Sequence, residues 1–378
     1  MKKLLIGFAI IALVLFSAGC KKGETAMDTP ETHVAAGHKY LENRQYDAAI
    51  AAFERAIDLD HRCASAYSGI GYVYLRQSED ATGETRKGLL DDAVDMFEKA
   101  MGLDVDDIYG KIGKARVMIE RGDARNARLL AKAAAQEDKE NIEGALWWGI
   151  AAGCVGDWDE ANYALTRALE LDPTNPEVQD AWDRLAVAKR LMQGVDDQNY
   201  RAIAFNYRIG RADAAALFAR ELDLSRLERR SVTSYGGPVF VGPGEPETGA
   251  TSYYATDIAE HWALPEINLC IETGLMEPYP DGSFLPDAKL NRSEFAMLAA
   301  KVLSLTTGDP DLMTRGITGD SIFKDVRADN FAYGAIVACT SRGILAGDPD
   351  GFFRPLDFIT GTDAVSAVRT VETILAHY

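Results

Sequence analysis

A pattern of aromatic, glycine and charged residues occurs twice in the C-terminal third of the chain. It constrains the fold more than any other feature. The copies run over residues 256–294 and 323–363. The matching positions are Trp262, Gly274, Asp281 and Arg292 in the first copy and Phe331, Gly343, Asp350 and Gly361 in the second. In both copies the intervals are 12 from the aromatic to the glycine, 7 from the glycine to the aspartate and 30 from the aromatic to the last position. Such agreement indicates a duplicated supersecondary unit.

A third, weaker copy precedes these two. Trp182 lies 12 residues before Gly194 and 29 residues before Arg211, which is the same register with one deletion. An Asp-Gly-x-Phe-x-Pro loop is missing there, and residues 199–205 take its place. We predict a degenerate unit over residues 176–227. The alternative is that its first helix only caps the preceding domain, and one helix can serve both purposes.

The duplicated pattern resembles the S-layer homology (SLH) family, whose members read roughly F-x-D-V-x-x-H-W-A, then D-G-T-F-x-P, then T-R-A-E. The openings here are Thr256-Asp257-Ile258 and Phe323-Lys324-Asp325-Val326. The resemblance implies an α-helical module of three units around a pseudo-threefold axis, with complete units at 254–305 and 321–376. It also implies non-covalent attachment to cell-wall polymers.

In that family the arginine motif carries polymer recognition, often of pyruvylated sugars. Carried over, Arg292 and Arg211 are the candidate polymer-binding residues. An arginine in the first helical turn adds a bidentate donor where backbone N–H groups and the helix dipole already favour an anion. Gly361 replaces the arginine in the last copy, so we expect that groove to be weak or silent.

The residues around the arginine motif allow two interpretations each. Trp262 either stacks on a sugar or lies in the core, as Phe331 at the equivalent position would suggest. Asp281 and Gly282 either wall the groove or only form a tight turn. We assign structural capping roles to Asn291, Glu294, Thr360, Asp363 and Asp213, which lie at N-cap and capping-box positions.

Residues 33–175 show helix-period patterning, with small residues at fixed offsets. The middle positions, Ala49, Ala93, Ala127 and Ala161, are separated by 44, 34 and 34 residues. The first interval becomes 34 once a ten-residue insertion around residues 76–88 is removed. This pattern resembles the tetratricopeptide repeat (TPR) family, whose period is 34. It predicts four helical hairpins, at 33–63, 64–107, 108–141 and 142–175.

In a TPR solenoid the first helix of each repeat lines the concave face, where a protein partner binds. The residues projected onto that partner-binding groove are His38, Tyr72, Tyr109, Ile112, Arg116, Leu146 and Ile150. Each of them either contacts a partner or packs within the array.

The N-terminus reads as a lipoprotein signal peptide over residues 1–19. Lys2 and Lys3 precede an apolar run that is too short to span a bilayer, and small residues then lead into Cys20. This arrangement resembles a bacterial lipobox and predicts lipidation of Cys20, followed by a linker to residue 32. The alternative is ordinary cleavage that leaves a free thiol.

The charge and the motifs bound the function further. The formal charge is −18, and removing residues 1–19, with two lysines and no acid, makes it −20. This argues against nucleic acid as a partner. The four later cysteines show no metal-ligand spacing, and we expect Cys270 and Cys339, at equivalent positions, to be buried, a disulfide being the alternative. No catalytic, metal-binding or cofactor-binding motif is present, so we predict neither an enzyme nor a cofactor.

The predicted architecture is all-α: a TPR solenoid, then an SLH module, with connecting segments at 228–253 and 306–320. The predicted function is an envelope lipoprotein that tethers a membrane to a wall polymer or peptidoglycan-linked glycan and docks an envelope protein on its repeats. In a diderm source the anchor would lie on the periplasmic face of the outer membrane. The alternative is an envelope assembly factor with a non-binding SLH module.

The first prediction concerns the anchor. Cys20→Ala should abolish incorporation of a radiolabelled fatty acid, because the acyl chains need this thiol. Cys63→Ala, which removes another cysteine, should leave incorporation unchanged. Equal labelling of wild type and Cys20→Ala would contradict the prediction.

Overall fold

The computed structural model describes residues 28–81, 83–224, 254–314 and 321–377. Cys20, the signal peptide, the whole predicted 228–253 linker and residues 315–320 lie outside them. The described residues form fifteen α-helices, with isolated β-bridges and no longer strand among them, so the predicted all-α class is confirmed. The helices are α1 Pro30–Glu42, α2 Tyr46–Leu59, α3 Ala64–Glu79, α4 Gly83–Leu103, α5 Ile108–Glu120, α6 Ala124–Glu137, α7 Ile142–Cys154, α8 Trp158–Leu171, α9 Pro176–Leu191, α10 Gln198–Ile203, α11 Arg211–Glu221, α12 Leu264–Glu272, α13 Arg292–Thr307, α14 Tyr333–Thr340 and α15 Gly361–Leu375.

Helices α1 to α8 form four antiparallel hairpins. Within a hairpin, a glycine on the first helix faces a large buried side chain on the second. The facing pairs are Gly37 with Phe53, Gly71 with Phe97 and Gly149 with Leu165, and a Cβ at these glycines would lie 2.5, 2.6 and 2.6 Å from the partner side chain. The alternation of small and large residues in the sequence therefore corresponds to close helix packing.

The ten extra residues of the second repeat lengthen its hairpin. Helix α3 continues to Glu79, and α4 begins at Gly83 and runs for 21 residues. The Arg86 Nε donates a hydrogen bond to the Ser78 carbonyl oxygen at 3.2 Å. Ser78 is itself buried, and its hydroxyl donates to the Leu75 carbonyl. The described residues of the insertion thus lie mostly in the end of α3 and the start of α4, and a hydrogen bond joins the two helices there.

The third repeat has a buried lysine where the pattern favours an apolar residue. The Lys111 ammonium lies 2.6 and 2.5 Å from the two Glu137 carboxylate oxygens. A buried charge needs such a partner, since an unpaired one would be strongly destabilising. This ion pair joins α5 to α6 in place of an apolar contact.

The chain divides into two compact units, Met1–Val105 and Asp106–Tyr378. The first contains α1 to α4 and the second contains α5 to α15. The predicted boundary at residue 175 does not coincide with this division, because one hydrophobic core runs from Ala145 on α7 to Val371 on α15. Helix α9, which Asn175 caps, packs against both α8 and α15. This helix therefore contacts both the last repeat helix and the C-terminal helix of the chain.

Three segments of the second unit meet in a closed ring of main-chain hydrogen bonds. The N–H of Leu290 donates to the Ile209 carbonyl (3.1 Å), that of Ile359 to Leu290 (3.1 Å) and that of Ile209 to Ile359 (3.3 Å). All three residues are buried. Each is followed by a helix, namely α11, α13 or α15. We call these segments arm A (176–224), arm B (254–307) and arm C (321–375). The ring gives the module its pseudo-threefold axis.

The second prediction concerns arm A. A fragment of residues 225–378 should be less stable than a fragment of residues 106–378 by about 3 kcal/mol or more. Losing Ile209 leaves the Leu290 N–H and the Ile359 carbonyl without partners, at about 1–3 kcal/mol each. Urea unfolding measures the difference. As a control, residues 106–378 should unfold at the same urea concentration as this unit does in the full chain. Equal stability of the two fragments would contradict a structural role for arm A.

Candidate functional site

Arms B and C each contain a tight loop before the helix. In arm B the Tyr279 N–H donates to the Ser283 carbonyl at 2.7 Å, and Gly282 has a φ of +84°. The Asp281 carboxylate accepts hydrogen bonds from the Ser283 N–H and hydroxyl, which hold the pKa of Asp281 below its usual value. In arm C, Gly351 has a φ of +85°. Asp281 and Gly282 therefore form the tight turn that their sequence suggests.

In arms B and C a carboxylate near the start of the repeat pattern holds this loop, a role that sequence reasoning missed. In arm B the Asp257 carboxylate accepts from the Phe284 N–H at 2.7 Å and from the Leu285 N–H at 2.8 Å. Asp325 does the same in arm C, at 2.9 and 2.7 Å. Leu285 has a φ of +53°, a left-handed conformation that costs energy in a residue other than glycine. The family opening F-x-D-V was the available signal for both aspartates.

Side chains cap the starts of the three arm helices, although Asp363 takes part through its backbone N–H and not as the carboxylate acceptor of a capping box. In α13 the Asn291 side chain accepts from the Glu294 N–H, and the Glu294 carboxylate accepts from the Asn291 N–H, both at 2.9 Å. In α15 the Thr360 hydroxyl accepts from the Asp363 N–H at 3.2 Å. In α11 the Asp213 carboxylate accepts from the Gly210 N–H at 2.8 Å. These side chains order the helix starts locally.

The first backbone N–H groups of these helices do not face an open groove, contrary to expectation. Each donates instead to a carbonyl of the next arm, because the ring brings that arm's loop against the helix start. The pairs are Arg211 with Ala288 at 3.0 Å, Arg292 with Asp357 at 2.8 Å and Gly361 with Asn206 at 2.8 Å. The first N–H groups are therefore already used in joining the arms, and the arginine side chains remain the candidate contacts for an anion.

The Arg211 side chain lies at the junction between arms A and B. Its Nε donates to the Phe284 carbonyl at 2.8 Å, and its Nη2 donates to the Glu277 carbonyl at 2.9 Å. The guanidinium carbon lies 4.7 Å from the centre of the Phe284 ring and 5.0 Å from that of Tyr279. Burial lowers the pKa of Arg211, although a guanidinium stays charged at neutral pH.

Arg292 occupies the equivalent place between arms B and C. Its Nε donates to the Phe353 carbonyl at 2.9 Å and its Nη2 to the Ala346 carbonyl at 2.6 Å, with the guanidinium 4.8 Å from the Phe353 ring. Its Nη1 lies 4.0 Å from a carboxylate oxygen of Asp363. Its side chain is 15% exposed. A ligand would therefore meet only one edge of this guanidinium.

The two junctions differ in their surroundings. Next to Arg211 the arm B loop has Tyr279 and Leu285, both partly exposed. At the equivalent positions the arm C loop has Asp348 and Arg354, which form an ion pair. The junction of Arg211 is thus more apolar, and that of Arg292 carries more charge.

Trp262 and Phe331 occupy different environments despite their equivalent spacing. Trp262 is half-buried, and the Arg220 guanidinium lies 5.7 Å from its ring. Phe331 is 82% exposed. The exposure of Phe331 therefore gives no support to the core alternative for Trp262. Trp262 contacts the core without being enclosed by it.

Most residues predicted to line the partner-binding groove pack inside the array. Tyr72, Ile112, Leu146 and Ile150 are buried, so the structure contradicts their assignment to an open surface. Regular spacing placed them on one helix face, but neighbouring helices cover that face.

The other three groove residues keep some exposure. Tyr109 is 48% exposed. The Arg116 guanidinium lies 4.4 Å from the Trp147 ring. In the first unit His38 is half-buried against Phe53, and burial lowers its pKa.

The paired cysteines of the arms are packing residues. Cys270 and Cys339 are buried thiols, not a disulfide, and burial raises the pKa of each to about 12. Their sulfurs lie 3.6 Å from the Ala215 carbonyl and 3.4 Å from the Ala296 carbonyl, on equivalent helices. Inert buried thiols of this kind are expected where burial disfavours the thiolate.

The described residues provide neither a metal site nor a membrane-spanning helix. They contain no group of three or more His, Cys, Asp or Glu side chains that could hold a metal ion. Among them there is also no helix with the length and apolar character needed to cross a bilayer.

Comparison with known families finds matches in both halves of the chain. The S-layer homology domain model matches residues 256–296 and 322–365, and a TPR repeat model matches residues 37–78. The chain thus contains two S-layer homology units and a tetratricopeptide repeat. Arm A is not part of the family matches, although it joins the ring.

The similar proteins fall into two groups. Cell surface glycoprotein 1 of Acetivibrio thermocellus is 30% identical over 182 residues, which are 47% of this chain and 7% of that protein. The cellulosome-anchoring protein of the same organism is 28% identical over 163 residues, 43% and 31% of the two chains. The chain spans less than a third of either relative. Among solved structures, a thermophilic TPR protein of Thermus thermophilus has 18% identity and a TM-score of 0.38 over 42% of this chain and 81% of that one. YrrB, a TPR protein with an unusual peptide-binding site, has 20% identity and a TM-score of 0.33 over 46% and 84%.

The third prediction concerns the loop clamp. Asp257→Ala should lower the free energy of unfolding by about 1–2 kcal/mol, because it removes a charged acceptor from two backbone N–H groups. Asp287→Ala, in the same arm and exposed, should change it by less than about 0.5 kcal/mol. Chemical denaturation of the purified protein measures both. Similar values for the two variants would contradict the clamp.

Proposed function

We propose that this protein attaches to the cell wall through its S-layer homology units and docks a protein partner on its TPR array. Two matches to the S-layer homology model carry this proposal. The names of two relatives, a cell surface glycoprotein and a cellulosome-anchoring protein, support the same location. The ligand would be a cell-wall secondary polymer or a peptidoglycan-linked glycan.

The chemistry of the module favours an anionic polymer as this ligand. The chain carries a formal charge of −18, so such a polymer meets repulsion over most of the surface. Arg211 and Arg292 place guanidiniums at two of the junctions between arms. An arginine that is already oriented by two carbonyls loses little conformational entropy when it binds a carboxylate. We infer that Trp262, Asp281 and Gly282 line the binding surface near these arginines.

Only the sequence supports the proposed attachment of this protein to a membrane. A lipid on Cys20 would hold the N-terminus at a membrane, with residues 20–32 as the linker to the repeats. Several acyl chains on one cysteine anchor a protein stably, since each buried CH₂ contributes about 0.8 kcal/mol. The protein would then connect a membrane to the wall through non-covalent contacts at one end.

A second candidate function is an envelope assembly factor whose S-layer homology module is only a scaffold. The hydrogen bonds of both arginines to loop carbonyls favour it, because they give these side chains a structural role without any ligand. In that case the TPR array would recruit envelope proteins and the module would not bind wall polymer.

The fourth prediction separates these functions. The soluble protein, lacking residues 1–19 and carrying Cys20→Ala, should cosediment with purified cell walls and lose binding after their secondary polymers are stripped. Arg292→Ala should weaken binding by well over tenfold and Arg211→Ala by less. Removing a hydrogen-bonded charge from such a site costs about 2–5 kcal/mol. Substitutions at Thr362, beside Gly361, should have almost no effect, and rising salt should weaken binding.

The control for this experiment is Arg327→Ala. It removes the same charge from a highly exposed side chain that is ion-paired with Asp329, and it should leave binding within about twofold of wild type. Thermal unfolding of each variant identifies any loss that comes from misfolding. Unchanged binding of a folded Arg211/Arg292 double variant would refute the site and favour the scaffold function.

A further inference from the structure

The third junction lies where the start of α15 in arm C meets the loop of arm A. It contains a guanidinium that the repeat pattern does not predict. At the other two junctions an arginine lies over a buried phenylalanine, at 4.7 Å for Arg211 over Phe284 and 4.8 Å for Arg292 over Phe353. Arm A has a buried phenylalanine too, Phe205. The guanidinium of Arg184 lies 4.9 Å from the centre of that ring. All three junctions therefore have an arginine over an aromatic ring.

The arginine of the third junction comes from a different helix. Arg211 and Arg292 are the first residues of α11 and α13, and Gly361 has this position in α15. A Cβ at Gly361 would lie 1.7 Å from the Ile203 carbonyl oxygen. No side chain fits there, because the backbone of arm A occupies the space. Arg184 reaches the ring from α9 instead.

The local contacts of Arg184 hold it inside the protein. The residue is 9% exposed, and its guanidinium lies over the Tyr207 ring as well as the Phe205 ring. Its Nη2 donates to an Asp180 carboxylate oxygen at 2.9 Å, and the Tyr207 hydroxyl donates to the same oxygen at 2.9 Å. Its Nη1 is buried without a hydrogen-bond partner among the described residues. Burial lowers the pKa of Arg184 to about 10, so it remains charged at neutral pH.

The TPR helices lie directly against this junction. A Cβ at Gly153, on α7, would lie 2.4 Å from the Phe205 ring, so the ring packs against bare backbone. The Arg201 Nε donates to the Gly156 carbonyl at 2.8 Å. The Arg208 Nη1 lies 2.6 Å from the Glu120 carboxylate. Residues of α5, of α7 and of the turn after α7 thus contact the loop of arm A.

From these contacts we propose that Arg184 is a positioning residue. It replaces the arginine missing at residue 361 and fixes the Phe205 loop against α7. The third junction is then a rigid joint between the TPR array and the module, not a third ligand groove. One orientation of α5–α8 relative to the arms follows. The joint does not depend on wall binding. If the proposed function holds, the module offers two polymer sites, at Arg211 and Arg292.

The test is hydrogen exchange measured by mass spectrometry on the full chain. Arg184→Met keeps an unbranched side chain about as long as the aliphatic stem of the arginine, but it removes the charge and the planar guanidinium. We expect amide exchange to become at least tenfold faster in residues 150–158 and 198–210, and to change by less than twofold in residues 292–303. Wall cosedimentation should stay within twofold of wild type. Arg190→Met, on an exposed position of the same helix, should change none of these measurements.

Other outcomes overturn the inference. Unchanged exchange in residues 150–158 and 198–210 would show that Arg184 does not fix the joint. Equally faster exchange in residues 292–303 would show a general contribution to stability instead. A loss of wall binding by a folded Arg184→Met variant would place this arginine in a ligand site. If that variant does not fold, Gly153→Ala replaces it, since its methyl group would push against Phe205, and the same local pattern of exchange is expected.

Discussion

The ring of main-chain hydrogen bonds among Ile209, Leu290 and Ile359 is the constraint on which the second unit depends. Each of these residues is buried, and a buried peptide group without a partner costs about 1–3 kcal/mol. Every arm donates one bond and accepts one, so none of the three arms can be dispensed with. The ring also sets each helix start against the loop of the next arm, which explains why the first N–H groups of those helices bond to protein rather than to a ligand.

The three junctions created by this ring have diverged in different directions. One has Arg211 beside the partly exposed Tyr279, and the next has Arg292 beside an ion pair and Asp363. The third is closed by main chain at Gly361. The symmetry of the backbone is thus retained while the chemistry of the junctions differs, as expected when hydrogen bonds fix the frame and side chains remain free to change.

The sequence carried much of the local organisation. Asn291 and Glu294 form the capping box that their spacing predicts, and glycines face large side chains in the repeats. Prediction failed where a residue's environment depends on residues that are far away in the sequence. Ile150 was projected onto an open groove but lies in the core. Periodicity places a residue on a helix face and leaves open what covers that face.

By itself the sequence determined the helical class, the repeat spacing, the helix caps and the presence of S-layer homology units, because these depend on short-range hydrogen bonds and on regular patterns of small and large residues. Only the tertiary structure decided how the arginines are used. The carbonyls that orient Arg211 and Arg292 lie more than fifty residues away in the chain. Likewise, Arg184 replaces a side chain missing 177 positions later, which no local pattern can encode, since the two positions become neighbours only when the ring closes.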